Sequence, residues 1–172
     1  MASLMEDLID TLQQERSLYE TLLDLSGNKT QVIVKGDLQE LSRITDAEQG
    51  IVSKLATLDK KRSTAMKDIA IVLNKDVDHL RLTDLVQMLD KRPDEQRRLA
   101  EERDKLKAVA DNVKRINGQN AELLNSSLEM VQFEMNILQT SARAPETANY
   151  TRAAGTSGDV IGSNQGSFDA KQ

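Results

Sequence analysis

Apolar side chains recur at heptad-like spacing almost without interruption along residues 1 to about 141, and this spacing is absent from residues 142–172. The last segment instead holds four of the eight glycines, with Pro145 and a run of Ser, Thr, Ala and Asn. Spacing of three and four residues places side chains on one helix face. A segment without it buries too little apolar surface to offset the entropy of ordering. The sequence therefore predicts a helical domain, residues 1–141, followed by a flexible low-complexity tail, residues 142–172.

Aromatic side chains are scarce, since only Tyr19, Phe133, Tyr150 and Phe168 are aromatic. A core must therefore be built from Leu, Ile, Val, Met and Ala, which fill the seams between helices. Charged residues make up 30% of the chain with both signs interspersed, as is typical of long helices with much solvated surface. The net charge of −5 gives no electrostatic reason to expect a nucleic acid or an anionic membrane as partner.

Three features that the sequence lacks indicate the cellular compartment: cysteine, a signal peptide and a membrane-spanning segment. There is no cysteine, which excludes disulfides and thiolate metal sites and is compatible with a reducing cytoplasm. The N-terminus lacks the basic-then-apolar layout of a signal peptide, and no apolar stretch approaches membrane-spanning length. We expect a soluble, cytoplasmic protein that does not insert into a membrane.

The first helix is predicted from Ser3 to about Lys35, with Ser3 and Glu6 in the capping-box arrangement. Its apolar stripe skips at Glu15, and Gly27-Asn28 could introduce a kink or a brief break. Gly36 suits a left-handed helix C-cap, and Asp37 with Glu40 suits the next N-cap. This combination predicts a tight reversal between two antiparallel helices.

The second helix is predicted from Leu38 to Leu73, and residues 74–82 look like a connection. Thr83 could cap a short helix through Leu89. Pro93 suits the first turn of a last helix that extends to about Ser141. The predicted fold is all-α: an elongated antiparallel bundle of three long helices, with a short connecting helix before the last one and a disordered C-terminal tail.

No combination of residues indicates catalysis. Asp76 and the single histidine, His79, stand at the spacing used in di-iron bundles, but such sites need that unit twice and two further glutamates. A solvated turn is the favoured interpretation. No nucleophile, base and oxyanion donor can be assembled from the remaining residues. We therefore expect no catalytic residue, no metal, no cofactor and no enzyme activity.

A block from Lys91 to Lys107 holds seven basic residues against five acidic ones. Within it, Glu101 and Lys105 are predicted to form a favourable i,i+4 ion pair. The favoured interpretation is a solvated helix face.

The apolar stripe from Val113 to Leu138 raises the main functional question. It can be bundle core, or it can offer a groove to an amphipathic helix of a partner. Met130 and Met135 favour the second interpretation, because methionine adapts to different contacting sequences. Asn117 and Asn120 interrupt the stripe. They either fix the helix register or mark a seam that is not fully buried, and the sequence leaves both possibilities open.

These patterns resemble the FlgN-type flagellar export chaperones. The resemblance rests on Leu-Ile-x-x-Leu-x-x-Glu at Leu8–Glu15, the valine-rich segment Val32–Leu38 and Asn-x-x-Asn-x-x-Leu-Leu-x-x-Ser-Leu at Asn117–Leu128. A low-complexity tail that opens with a tyrosine, Tyr150, adds to it. These elements occur in the same order as in the family, over about 130 residues of the chain.

The resemblance implies a cytoplasmic chaperone that binds the C-terminal helical segments of hook–filament junction proteins. It would keep them unpolymerised and deliver them to the flagellar type III export gate, as a monomer or weak dimer. Tyr150 is implied as the contact with the export gate. Ten residues, called the client stripe below, are implied to bind the client: Val113, Ile116, Asn117, Asn120, Leu123, Leu124, Leu128, Val131, Met135 and Leu138.

A structural coiled coil is the alternative class: a homo-oligomeric scaffold or spacer without an exported client. The seam pattern is compatible with both classes. A stable oligomer with every apolar stripe buried favours the scaffold. A monomer or weak dimer with a vacant stripe favours the chaperone.

Overall fold

A computed structural model describes residues 2–77 and 79–142, with the side chain of Ala2 excepted. Within these ranges the protein is all-α, with four helices and no strand. The helices are α1 (Ala2–Lys35), α2 (Leu38–Val72), α3 (Leu82–Met88) and α4 (Pro93–Ala142). The chain divides into two units, Met1–Gln132 and Phe133–Gln172. The predicted tail lies almost wholly outside the described residues, so that assignment stays a prediction.

The junction between α1 and α2 has the C-cap and the N-cap that the sequence predicts. Gly36 has a φ of 70°, the left-handed conformation that a side chain disfavours. The Asp37 carboxylate accepts a hydrogen bond of 3.0 Å from the backbone N–H of Glu40, at the third position of α2. Pro93 is the first residue of α4, also as predicted.

Two predicted N-caps are wrong, and α1 does not contain the break that the sequence allowed. Ser3 lies inside α1, which begins at Ala2, and Thr83 lies inside α3. Arg81 precedes α3, and its backbone N–H donates to Asp84 Oδ2 at 3.1 Å, so an acidic residue in the first turn satisfies the helix end. α1 runs through Gly27-Asn28 without a break.

The core of the first unit consists of two clusters of aliphatic side chains. Leu22, Ile51 and Val113 form the smaller cluster, one residue from each long helix. The larger cluster joins α1 and α2 to the short helix α3 and to the start of α4. It contains Met5, Leu8, Ile9, Leu12, Ala65, Ile69, Leu85, Leu89, Leu99, Leu106 and Val109.

Two adjacent charges of α1 pair with different helices. Glu15, buried to 2% exposure, accepts from Arg62 of α2 at 2.8 Å, and Arg16 donates to Glu102 of α4 at 3.0 Å. Burial raises the pKa of Glu15 despite the opposing effect of Arg62. For Glu102, burial also acts to raise the pKa, but the hydrogen bonds from Arg16 and Lys105 outweigh it and the pKa is lowered. These two ion pairs link α1 to α2 through Glu15 and to α4 through Arg16.

None of the described helices is both long enough and apolar enough to span a membrane.

Candidate client-binding surface on α4

The client stripe divides into buried and exposed positions. Val113 is 5% exposed and Asn120 is 3% exposed, so both face the interior of the first unit. Ile116, Leu123 and Leu124 are half-buried, whereas Asn117 is exposed. The remaining four stripe residues are all at least half exposed: Leu128, Val131, Met135 and Leu138. The N-terminal part of the stripe therefore packs inside the protein, and the C-terminal part faces solvent.

The two asparagines of the stripe form a polar layer with α1, composed of Ser26, Thr30, Asn117 and Asn120. Asn120 Nδ2 donates to the Ser26 carbonyl at 2.8 Å, and its Oδ1 accepts from Thr30 Oγ1 at 2.6 Å. Ser26, which is fully buried, donates to Asn117 Oδ1 at 2.9 Å. No described buried side-chain polar atom lacks a hydrogen-bond partner. Because every partner lies on α1, these asparagines set the register of α4 against α1.

A neighbouring ion pair extends this layer to α2. Lys29 Nζ lies 2.7 Å from Glu48 Oε2, and both side chains are largely buried. Ser26 Oγ also lies 3.3 Å from Glu48 Oε1. The polar groups of three helices therefore meet at one level of the first unit.

Exposed apolar side chains follow the polar layer along α4. In the first unit, Leu128, Met130 and Val131 are 60%, 65% and 51% exposed. Large apolar side chains this exposed are normal singly, but a group of them indicates an interaction site. The second unit, taken by itself, exposes four more on residues 133–142: Phe133, Met135, Ile137 and Leu138. Tyr150 lies outside the described residues.

The sequence did not identify the buried charges as contributors to this arrangement. Glu102 lies in the basic block that was interpreted as a solvated face, yet it is 7% exposed. Lys105 pairs with Glu102 at 3.2 Å, so the predicted pairing with Glu101 is wrong. The skip of the apolar stripe at Glu15 is a sequence signal of a buried charge.

The residues considered for metal binding form an exposed pair. His79 Nδ1 lies 2.8 Å from Asp76 Oδ2, and both side chains are well exposed. The part of the chain that the structure describes holds no group of three or more His, Cys, Asp or Glu side chains that could bind a metal ion.

Comparison with protein families gives one decisive result. The model of the FlgN protein family matches residues 1–158, most of the chain. The chain belongs to the FlgN family. FlgN proteins are flagellar export chaperones, and the described residues of this chain are all-α. Searches of curated proteins and of solved structures found no significant match.

Proposed function

We propose that this FlgN-family protein binds the C-terminal helical segments of hook–filament junction proteins in the cytoplasm. It keeps them unpolymerised and delivers them to the flagellar export gate. The exposed stripe residues of the first unit, Leu128 and Val131, are the observation that carries this proposal. An amphipathic client helix would cover these side chains, which in turn cover the apolar face through which the client would otherwise polymerise.

The buried part of the stripe has a different role in this proposal. Val113 and Asn120 hold α4 in place, and the half-buried Leu123 and Leu124 join them to the exposed region. The polar layer fixes the register of α4, so that Leu128 and Val131 are presented at a defined position.

A charge-introducing double variant tests the client contact. Leu128→Glu with Val131→Glu should leave folding intact, because both side chains are at least half exposed in the free protein. Each Leu or Val buried at a contact contributes about 1.5–3 kcal/mol, so binding of a junction-protein segment should weaken roughly a hundredfold or more. The measurement is isothermal titration calorimetry with purified C-terminal segments.

A matched control places the same charges elsewhere on α4. Gln119→Glu with Ser126→Glu adds two carboxylates at exposed positions on the opposite helix face. This control should bind the client like the parent. If both double variants lose affinity equally, net charge rather than the stripe determines binding. If the stripe variant unfolds in circular dichroism, its residues are ordinary core.

Delivery to the export gate is proposed to depend on Tyr150. A lone aromatic in a polar segment suits a short linear contact, with one anchor and fast release. Tyr150→Ala should leave client affinity unchanged while it reduces gate binding and motility. Normal swimming and gate binding of this variant would overturn the assignment.

The proposed architecture is an antiparallel arrangement of three long helices. Its support is the order of cross-helix pairs: residues 15 and 29 of α1 pair with residues 62 and 48 of α2. Residues 16 and 30 of α1 pair with residues 102 and 120 of α4. As the residue number rises along α1, the number of its partner falls along α2 and rises along α4. We therefore infer that α2 runs antiparallel to α1 and that α4 runs parallel to it.

A homo-oligomeric scaffold is the competing function, in which a second copy covers the exposed apolar residues. Sedimentation across a wide concentration range separates the two. A monomer or weak dimer supports the chaperone, and a stable oligomer at nanomolar concentration supports the scaffold.

A further inference from the structure

A groove of about 640 Å³ lies between α2 and α4 in the first unit. α1 also lines it, with the buried Leu22 among its residues. Val52 and Leu55 line it from α2, and Val113 lines it from α4. Val52 is 52% exposed although it faces this apolar surface. The groove is therefore an apolar surface that the described helices leave open.

Two alanines line the groove and leave space for the side chains of another helix. Ala56 of α2 and Ala110 of α4 both line it, and their small side chains leave room for larger ones from a partner. Packing of one helix between two others is the way in which an apolar stripe is most completely buried in helical bundles. A helix of the partner would cover Val52 and Leu55 together.

The groove is continuous in helical spacing with the exposed part of α4. Ala110, Val113 and Asn117 line it, and the same spacing of three and four residues leads to Leu124, Leu128 and Val131. From residue 110 to residue 131 this face measures roughly 32 Å along the helix. A partner helix of similar length can contact the groove and the exposed stripe residues of the first unit at once.

The charges of the groove indicate what this helix carries. Arg62 is engaged by both Glu15 and Asp59, which also line the groove. Lys114 lines it as well, and it takes part in none of the ion pairs found within the described ranges. A carboxylate on the partner, facing Lys114, would complete the pairing of the groove charges.

We propose that the groove seats the N- or C-terminal half of the client helix, and that Lys114 sets its register by pairing with an Asp or Glu. This inference rests on the proposed client-binding function and adds a second, walled part to the site. The occupant is an amphipathic helix of the junction protein with an apolar stripe and one acidic residue beside it.

The test uses the full-length protein and synthetic peptides of the C-terminal helical segment of hook–filament junction proteins. Ala56→Trp fills the groove and should weaken peptide binding at least tenfold. Its control is Ala47→Trp, which adds the same side chain at an exposed α2 position that does not line the groove. Thermal melting of each variant confirms that folding is retained.

Charge reversal gives a second and sharper readout. Lys114→Glu should weaken binding about tenfold, because it replaces an attraction with a repulsion. Arg115→Glu makes the same charge change on the next residue, away from the groove, and should bind like the parent. Replacing each acidic residue of the peptide by Lys in turn should reveal one position that restores binding to Lys114→Glu.

The experiment separates failure of the groove proposal from failure of the proposed client binding. Peptide binding that neither Ala56→Trp nor Lys114→Glu affects overturns the groove and leaves the proposed function standing. A parent protein that binds no junction peptide overturns both. Self-association of the parent that Ala56→Trp abolishes assigns the groove to a second copy of the chain and overturns the inference.

Discussion

Removing Arg62 from its pair with Glu15 should make stability depend on pH in a defined direction. The Glu15 side chain is 3% exposed and Arg62 is 31% exposed. Arg62→Met therefore leaves a buried carboxylate without its 2.8 Å partner. Breaking a buried pair in this way costs about 3–5 kcal/mol. Solvent already screens part of the interaction at Arg62, so we expect about 2–3 kcal/mol near neutral pH.

The loss should shrink as the pH falls. Burial raises the pKa of Glu15 in the folded chain, and Arg62 opposes that effect. Without Arg62 the folded-state pKa rises further above the unfolded value. Stability is then fully present below the unfolded pKa and is lost as the pH rises through the folded pKa. Arg62→Met should therefore be closer to the parent at pH 5 than at pH 7.5.

The assay is thermal and urea denaturation followed by circular dichroism at both pH values. At about 3 °C per kcal/mol for a domain of this size, the midpoint should fall by roughly 6–9 °C at pH 7.5. Adding Glu15→Gln to Arg62→Met should recover at least half of this loss and remove its pH dependence. Arg43→Met, which breaks an exposed pair with Glu40, is the control and should leave the midpoint close to that of the parent at both pH values. An unchanged midpoint, or an equal loss at both pH values, would show that Arg62 does not stabilise the fold by pairing with a buried, ionised Glu15.

Two glycine substitutions should act in opposite directions. Gly36→Ala should destabilise the protein by about 1 kcal/mol, because Gly36 has a positive φ. Gly50→Ala should stabilise the protein by up to about 1 kcal/mol, because Gly50 lies inside α2 with open space around it. Denaturant titration of both variants checks the pair, and equal effects would contradict the assigned backbone geometry. Asn120→Ala should cost about 1–3 kcal/mol through the lost contacts with Ser26 and Thr30, while the exposed Asn125→Ala should stay within about 0.5 kcal/mol. A neutral Asn120→Ala would mean that the polar layer does not hold α4 in register.

Features that depend only on residues close together in the sequence, such as the turn between α1 and α2, could be predicted from the sequence. The reversal at Gly36 and Asp37 is set by one backbone conformation and one cap, and both are visible in the sequence. The caps at Ser3 and Thr83 failed because a suitable side chain does not decide where a helix begins. Each helix extends at least one residue beyond the expected cap.

Long-range pairing was beyond the reach of the sequence pattern. Arg16 and Glu102 are 86 residues apart, and no local spacing relates them. The skip at Glu15 marked an interrupted stripe but did not identify Arg62, 47 residues away, as its partner. For Asn117 and Asn120 the sequence allowed two interpretations, and hydrogen bonds to α1 favour register.

Amide hydrogen exchange of the full-length protein tests whether α4 binds a flagellar client. Exchange is compared with and without a saturating C-terminal segment of a hook–filament junction protein. Protection should be concentrated in residues 110–132 of α4, with little change in residues 3–14 of α1. A segment that binds while exchange across α4 stays unchanged, or a segment that does not bind at all, would contradict client binding by α4.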